Sequence, residues 1–165
     1  MALIIEDGSI VANANSFVTA VELAAYAALR GVTISGVTAT QESLLILAMD
    51  YIKGRESNMK GHRVTQAQEL PYPRYEVSYH GFYLASNTIP SQLKNAQIEL
   101  AIQAGNSELL ISETTTNLES FNVDGVYSES YFNGGAWSTV RTDKADAYLD
   151  VLMQNGNSYN ILTRV

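Results

Sequence analysis

Apolar residues recur at helical spacing in four stretches of the chain, and polar or breaking residues separate them. The first helix is predicted from about Ala20 to Arg30. Thr19 and Glu22 form a capping box at its start, Leu23, Tyr26, Ala27 and Leu29 supply its apolar contacts, and Gly31 offers a left-handed stop. A second box, Thr38 with Gln41, opens a helix through about Arg55, ending near Gly54, with Leu44, Leu45, Leu47, Ala48, Tyr51 and Ile52 facing inward. The third and strongest begins at Ile89-Pro90-Ser91, where Pro90 pre-sets the backbone and Ser91 is a capping residue. It carries Leu93, Ala96, Ile98, Leu100, Ala101 and Ile102 and fades around Gly105 to Ile111. Thr142 and Asp143 start a fourth helix through about Met153, with Ala145, Tyr148, Leu149 and Leu152 on one face.

Between these helices the pattern changes. Ala2 to Ile5 is a short apolar strand or arm closed by Asp7-Gly8-Ser9, and Val32 to Thr38 reads as a loop. Gln68-Glu69-Leu70-Pro71-Tyr72-Pro73-Arg74 cannot be helix, because two prolines fix φ, remove amide donors and push their predecessors extended. An ordered arm folding back across the helical body is expected. After a polar connector, Ser112 to Asn117, the residues from Leu118 to Phe132 are aromatic and β-branched around Asp124-Gly125, a two-residue hairpin signal. The fold class predicted is mainly α: a bundle of about four helices with an extended proline arm and an inserted β-hairpin. One helical domain, 1–154, would carry the hairpin at about 113–133, and 155–165 would be a flexible C-terminal tail. Repeats and low-complexity tracts are absent.

A chain of 165 residues buries roughly two-thirds of its unfolded surface and needs neither disulfide nor metal to fold. The absence of cysteine removes thiolate metal sites and cysteine nucleophiles. A net charge of −7 opposes generic affinity for polyanions. Met1 to Asp7 has no basic n-region and no apolar run approaches a membrane span, so a cytoplasmic chain with no membrane partner is expected. Charge is unevenly placed. Lys53, Arg55, Lys60 and Arg63 face only Glu56 in sequence, whereas Glu99, Glu108, Glu113, Glu119, Asp124 and Glu129 lie between Lys94 and Arg141 without a Lys or Arg.

Catalytic signals are weak. His62 and His80 sit in predicted loops without a metal-ligand pattern or carboxylate cluster, and phosphate-loop and GxSxG patterns are missing. Glu6-Asp7 and Asp143, Asp146 and Asp150 stand at a sequence end or helix start, where they suit solvent or the helix dipole. No enzyme, cofactor or metal is expected. Single-strand binding would combine a basic groove with stacking aromatics, and Tyr72, Arg74, Tyr75, Tyr79, Phe82 and Tyr83 beside Lys60 and Arg63 offer a modest version of both. The competing reading of Tyr72 and Tyr75 is packing against the third helix, or a contact between subunits.

Gln68 to Arg74, then Gly81, Ile89-Pro90 and Lys94 to Ala101 resemble the tailed-phage family labelled DnaT-like single-stranded-DNA-binding protein. So do Ala14 to Phe17, Tyr26 with Arg30-Gly31, and Met49 to Arg55. The resemblance covers roughly the first two-thirds of the chain. Its label implies DNA binding, yet members look like head–tail connectors, small helical subunits that ring the underside of a portal. The connector reading implies a twelvefold homo-oligomeric ring, a portal protein and a tail-side neck or tail protein as partners, DNA only as passing cargo, and a place in the virion neck after assembly in the host cytoplasm. Lys60, Arg63, Tyr72, Arg74 and Tyr75 would then be subunit-interface residues, with the basic turn facing a neighbour's acidic hairpin at Glu119, Asp124 and Glu129. The tail, Ile161, Leu162, Thr163, Arg164 and Val165, would dock on the portal by strand addition. The alternative is a single-stranded-DNA-binding protein of phage replication.

Overall fold

The computed structural model describes residues 2–79, 81–106, 109, 120–123, 127–130 and 142–154. Among them are four α-helices: α1 (Ala20–Leu29), α2 (Thr38–Gly54), α3 (Ser91–Ala104) and α4 (Asp143–Asp150). Three two-stranded antiparallel sheets accompany them. They pair β1 (His62–Arg63) with β2 (Arg74–Tyr75), β3 (Ser78–Tyr79) with β4 (Phe82–Tyr83), and β5 (Ser120–Val123) with β6 (Tyr127–Ser130). The mainly α architecture is the one the apolar spacing predicts.

Among the described helices only α1 has a side-chain cap at its start. Thr19 accepts from the Glu22 amide while the Glu22 carboxylate accepts from the Thr19 amide, and Gly31 follows the helix with φ 64°. The box expected at Thr38 does not form. Val37 is the N-cap and makes no side-chain cap bond, because Gln41 turns away and donates to the Ser35 carbonyl. Ser91 likewise lies inside α3, with Pro90 at the cap. Helix α4 is shorter than predicted and ends at Asp150. Val151 to Met153 then turn so that Met153 bridges Met59 and the Gln154 amide bonds Asn58 O.

Helix α3 is the spine, packing against α2 on one side and α4 on the other, with α1 leaning on α2. Its buried stripe is Leu93, Ala96, Gln97, Leu100 and Ala101, the i, i+3, i+4, i+7, i+8 spacing of one helix face. The buried Gln97 accepts from the Phe17 amide and donates to Ser16 Oγ and Leu45 O, joining the N-terminal segment to α2 and α3. The proline arm folds into this core as predicted: Leu70 and Tyr72 are fully buried, and the Tyr72–Pro73 peptide is cis.

Two further expectations fail. Leu29 and Leu47, placed inward from sequence, are 86% and 52% exposed. At 100° per residue Leu47 lies nearly across the axis from Leu45, and Leu29 about 120° round from Leu23, outside the faces their helices bury. Of the two forms expected for residues 2–5, strand or arm, the arm is found, with one parallel bridge from Ile5 to Ser16. The hairpin between β5 and β6 pairs Val123 with Tyr127, so 124–126 separate the strands in place of the two-residue turn expected at Asp124-Gly125.

Candidate functional site

The basic turn is built around one acid. A single 3-10 turn, Glu56–Asn58, follows α2 and sends the chain into Gly61, whose φ is 70° and whose missing Cβ would lie 2.2 Å from Tyr75 O. Only glycine permits so close an approach. The close approach sets the register His62 to Tyr75 and Arg63 to Arg74. Two guanidinium groups thus stand on paired positions, and Glu56 lies between them. Arg63 grips it bidentately, Nε to Oε1 at 2.5 Å and Nη2 to Oε2 at 2.6 Å, while Arg74 Nη1 reaches Oε1 at 3.2 Å. Hydrogen bonding from Arg63 holds the Glu56 carboxyl below its ordinary range despite partial burial, and the same bond raises the Arg63 guanidinium.

The remaining donors of these residues are also used within the chain. Arg74 donates to Lys60 O at 2.9 Å and Gly61 O at 2.7 Å, and Arg63 Nη1 to Gln68 O at 2.7 Å. Lys60 Nζ donates to Val151 O at 2.8 Å. The expectation that Lys60, Arg63, Tyr72 and Arg74 face a neighbouring subunit is therefore corrected for Tyr72 and Arg74, which are 1% and 7% exposed and offer a partner no surface. Lys60 and Arg63 stay half-buried, with their polar ends engaged inside the subunit. Tyr75 alone keeps an open face, 42% exposed beside the His62 ring.

The other cations follow the same rule. Arg55 pairs with Asp146 at 2.7 Å and also donates to Tyr51 Oη, Lys94 stands 3.8 Å from Glu22, and Lys144 lies 2.5 Å from Glu99. Arg30 lies over the Tyr26 ring. Among the described residues Lys53 is the one cation without such a partner. Glu99, grouped by sequence with the acidic hairpin half, is instead buried on α3, where it accepts from Tyr26 Oη at 2.6 Å. Burial, and then that bond, raise the Tyr26 hydroxyl.

Exposed apolar surface takes a different form. Phe82 and Tyr83 are 78% and 79% exposed on β4. Tyr79, paired with Phe82, packs against the core, while Ser78, paired with Tyr83, is exposed. Successive strand residues point to opposite faces, so Tyr83 stands on one face of the hairpin and Phe82, beside Tyr79, on the other. On α1, Val21, Ala25, Ala28 and Leu29 are exposed as well.

His62 is exposed, with Nε2 3.8 Å from Glu76. Among the described residues no group of His, Cys, Asp and Glu is arranged to hold a metal ion, and no helix is long and apolar enough to cross a membrane. Glu6, read as solvated, is buried and accepts from the amides of Gly8, Ile10 and Val11. His80, Glu119, Asp124, the side chain of Glu129, most of the 113–133 insertion, the 155–165 tail and its residues Ile161, Leu162, Thr163, Arg164 and Val165 lie outside the described residues. Sequence reasoning missed Gln97 as a cross-link, although its place within the apolar stripe of α3 was the available signal.

A family model described as "Putative DnaT-like ssDNA binding protein" matches residues 1–165. The chain belongs to this family. Neither a curated protein nor a solved structure matches it. Membership in the DnaT-like family extends the likeness seen in the first two-thirds of the sequence to the whole chain. The family's description concerns binding to single-stranded DNA, for which this member's cations and aromatics are the relevant groups.

Proposed function

We propose that this DnaT-like family member is a non-enzymatic head–tail adaptor, a subunit that rings the portal and lets DNA pass. The observation that carries the reading is that, among the described residues, every basic residue except Lys53 is engaged within the subunit. A single-strand groove needs cations turned outward along a backbone track. Here Arg63 and Arg74 share Glu56, Arg55 holds Asp146, Lys144 holds Glu99 and Lys94 faces Glu22. With a net charge of −7, the subunit suits a channel that DNA must traverse without sticking. Its exposed, uncharged apolar positions on α1 and β4 suit contacts between proteins. The proposed partners are further copies of the chain, a portal protein, and a tail-side neck or tail protein, with the 161–165 segment as the portal-docking strand.

The second reading, single-stranded-DNA binding in phage replication, is favoured by the family's description and by the exposed rings of Tyr75, Phe82 and Tyr83. Fluorescence anisotropy with labelled oligo-dT over a salt series separates the two. An adaptor gives weak binding that disappears by physiological salt. Submicromolar binding that survives that salt and is lost on Phe82→Ala with Tyr83→Ala overturns the adaptor reading.

A further inference from the structure

The main chain of the N-terminal arm alternates in what it bonds. Asn15 Nδ2 donates to Ala2 O, Ile4 N donates to Asn15 Oδ1, Ile4 O accepts from the amides of Asn15 and Ser16, and Glu6 N donates to Ser16 O. Residues 2, 4 and 6 thus turn polar groups inward, toward the segment with which Ile5 makes its parallel bridge. In extended backbone, neighbouring residues turn their N–H and C=O to opposite sides, so Leu3 and Ile5 turn theirs outward. Among the described residues, the N–H and C=O groups of Leu3 and Ile5 have no partner. The arm therefore presents a short open strand edge, which is a template for a second strand.

The edge is bounded and uncharged. Ala2 to Ile5 carry no charge. The Glu6 carboxylate is buried and engaged by the amides of Gly8, Ile10 and Val11, and Asp7 accepts from the Ser9 amide. The chain then leaves its extended course at Gly8, where φ is 107° and a Cβ would lie 1.9 Å from Asn87 O. A pairing strand is thus offered Leu3 and Ile5 and little beyond them. Their donors and acceptors are symmetric about Ile4, an apolar residue 36% exposed. Such an edge is its own complement. Laid antiparallel about a two-fold axis, Leu3 faces Ile5 of a second copy and Ile5 faces its Leu3, each as a pair exchanging two hydrogen bonds, and Ile4 meets Ile4 between them.

We infer that the arm 2–6 pairs antiparallel with the same arm of a second copy of the chain, in the register Leu3 to Ile5. The pairing satisfies the outward groups of both arms and brings the exposed Ile4 side chains together at the axis. Charge allows it, because this register sets Glu6 across from Ala2 and no acid across from an acid. The contact is isologous and closes on two copies. It is separate from the head-to-tail contacts of a ring and does not rest on the adaptor reading. A contact this short, without a large apolar area, makes a concentration-dependent dimer.

Ile4→Cys tests the register with one substitution, because the chain has no cysteine of its own. The Cα atoms of such a non-hydrogen-bonded pair stand about 4.5 Å apart, within the span of a disulfide. The full chain carrying Ile4→Cys, oxidised at high protein concentration, is expected to form a covalent dimer and nothing larger on non-reducing gels. It should do so at least about tenfold faster than Leu47→Cys, an exposed thiol on α2, because the contact raises the local thiol concentration. Adding Ile5→Pro removes an outward donor and leaves the bonds of Ile4 and Glu6 in place, and should bring the rate down to that of Leu47→Cys. Adding Ile5→Ala keeps the main chain and should leave the rate high. Equal rates for Ile4→Cys and Leu47→Cys overturn the inference, as does Ile5→Pro without effect. Faster bonding of Ile4→Cys to a chain carrying Leu162→Cys than to itself also overturns it, and would assign the edge to the 161–165 segment.

Discussion

Arg63 and Arg74 occupy directly paired positions of β1 and β2 and are held together by a single carboxylate, Glu56. Like charges on paired strand positions are unfavourable unless an opposite charge intervenes. The consequence is local as well as electrostatic. The three residues fix the basic turn against the proline arm, and Lys60 ties that turn to the end of α4 through its amide and its ammonium, bonding Leu152 O and Val151 O.

Glu56→Gln should therefore cost stability. It leaves Arg74, 7% exposed, with its ionic partner gone and Arg63 opposite. Breaking a buried pair from one side costs about 3–5 kcal/mol. Because Arg63 is half-exposed and recovers water, a loss of about 2–3 kcal/mol is expected, below that range. Urea denaturation at neutral pH measures it, and the substitutions Glu56→Gln and Arg63→Gln should be strongly non-additive.

The same carboxylate gives a pH signature. Its folded pKa lies below the ordinary 4.5, chiefly through the Arg63 hydrogen bond, so its stabilisation is complete above 4.5 and is lost as pH falls through the folded value. The urea midpoint of the native chain should decline below that pH more steeply than that of Glu56→Gln. Parallel curves would place the acid sensitivity in other carboxylates.

Tyr72 is predicted to behave as a core residue. Its hydroxyl is buried without a hydrogen-bond partner, and burial pushes its pKa up to about 12. Tyr72→Phe removes an unsatisfied polar group and should leave the melting temperature unchanged or slightly higher. Tyr72→Ala should cost about 3–5 kcal/mol through the cavity it opens. A loss of assembly in Tyr72→Phe at unchanged stability would restore a surface role.

Gln97 makes the opposite prediction. Gln97→Leu has similar size and more apolar surface, yet it strands the Phe17 amide in the core and removes the donor shared by Ser16 Oγ and Leu45 O, the latter keeping its helical bond within α2. The stranded amide costs about 1–3 kcal/mol, which should exceed the gain from the added methyls. Thermal melts of Gln97→Leu beside Gln92→Leu, at a half-exposed site on the same helix, make the comparison.

The helices were legible because the signals that encode them are local: the Thr19–Glu22 box, Pro90 and the 3.6-residue stripe of α3 each act within a turn or two. The proline arm was legible for the same reason. Leu29 and Leu47 were misplaced because hydrophobicity alone does not say which face of a helix the core covers, and α1 has apolar residues on both. The roles of Glu56 and Arg74 depend on the pairing of β1 with β2, set by Gly61 and a chain reversal some ten residues long. No local pattern encodes that pairing. A basic run in sequence was thus read as a positive patch, although folding brings its acid into the middle of it.

The adaptor reading is tested most directly by mixing the purified full chain with portal-bearing, DNA-filled heads lacking it, at physiological salt, and sedimenting them. The account predicts stoichiometric co-sedimentation, a ring visible beneath the portal by negative-stain electron microscopy, and loss of attachment when the chain is ended at Asn155 while its melting temperature is kept. A chain that stays in the supernatant of such heads yet sediments with single-stranded DNA at the same salt would contradict it.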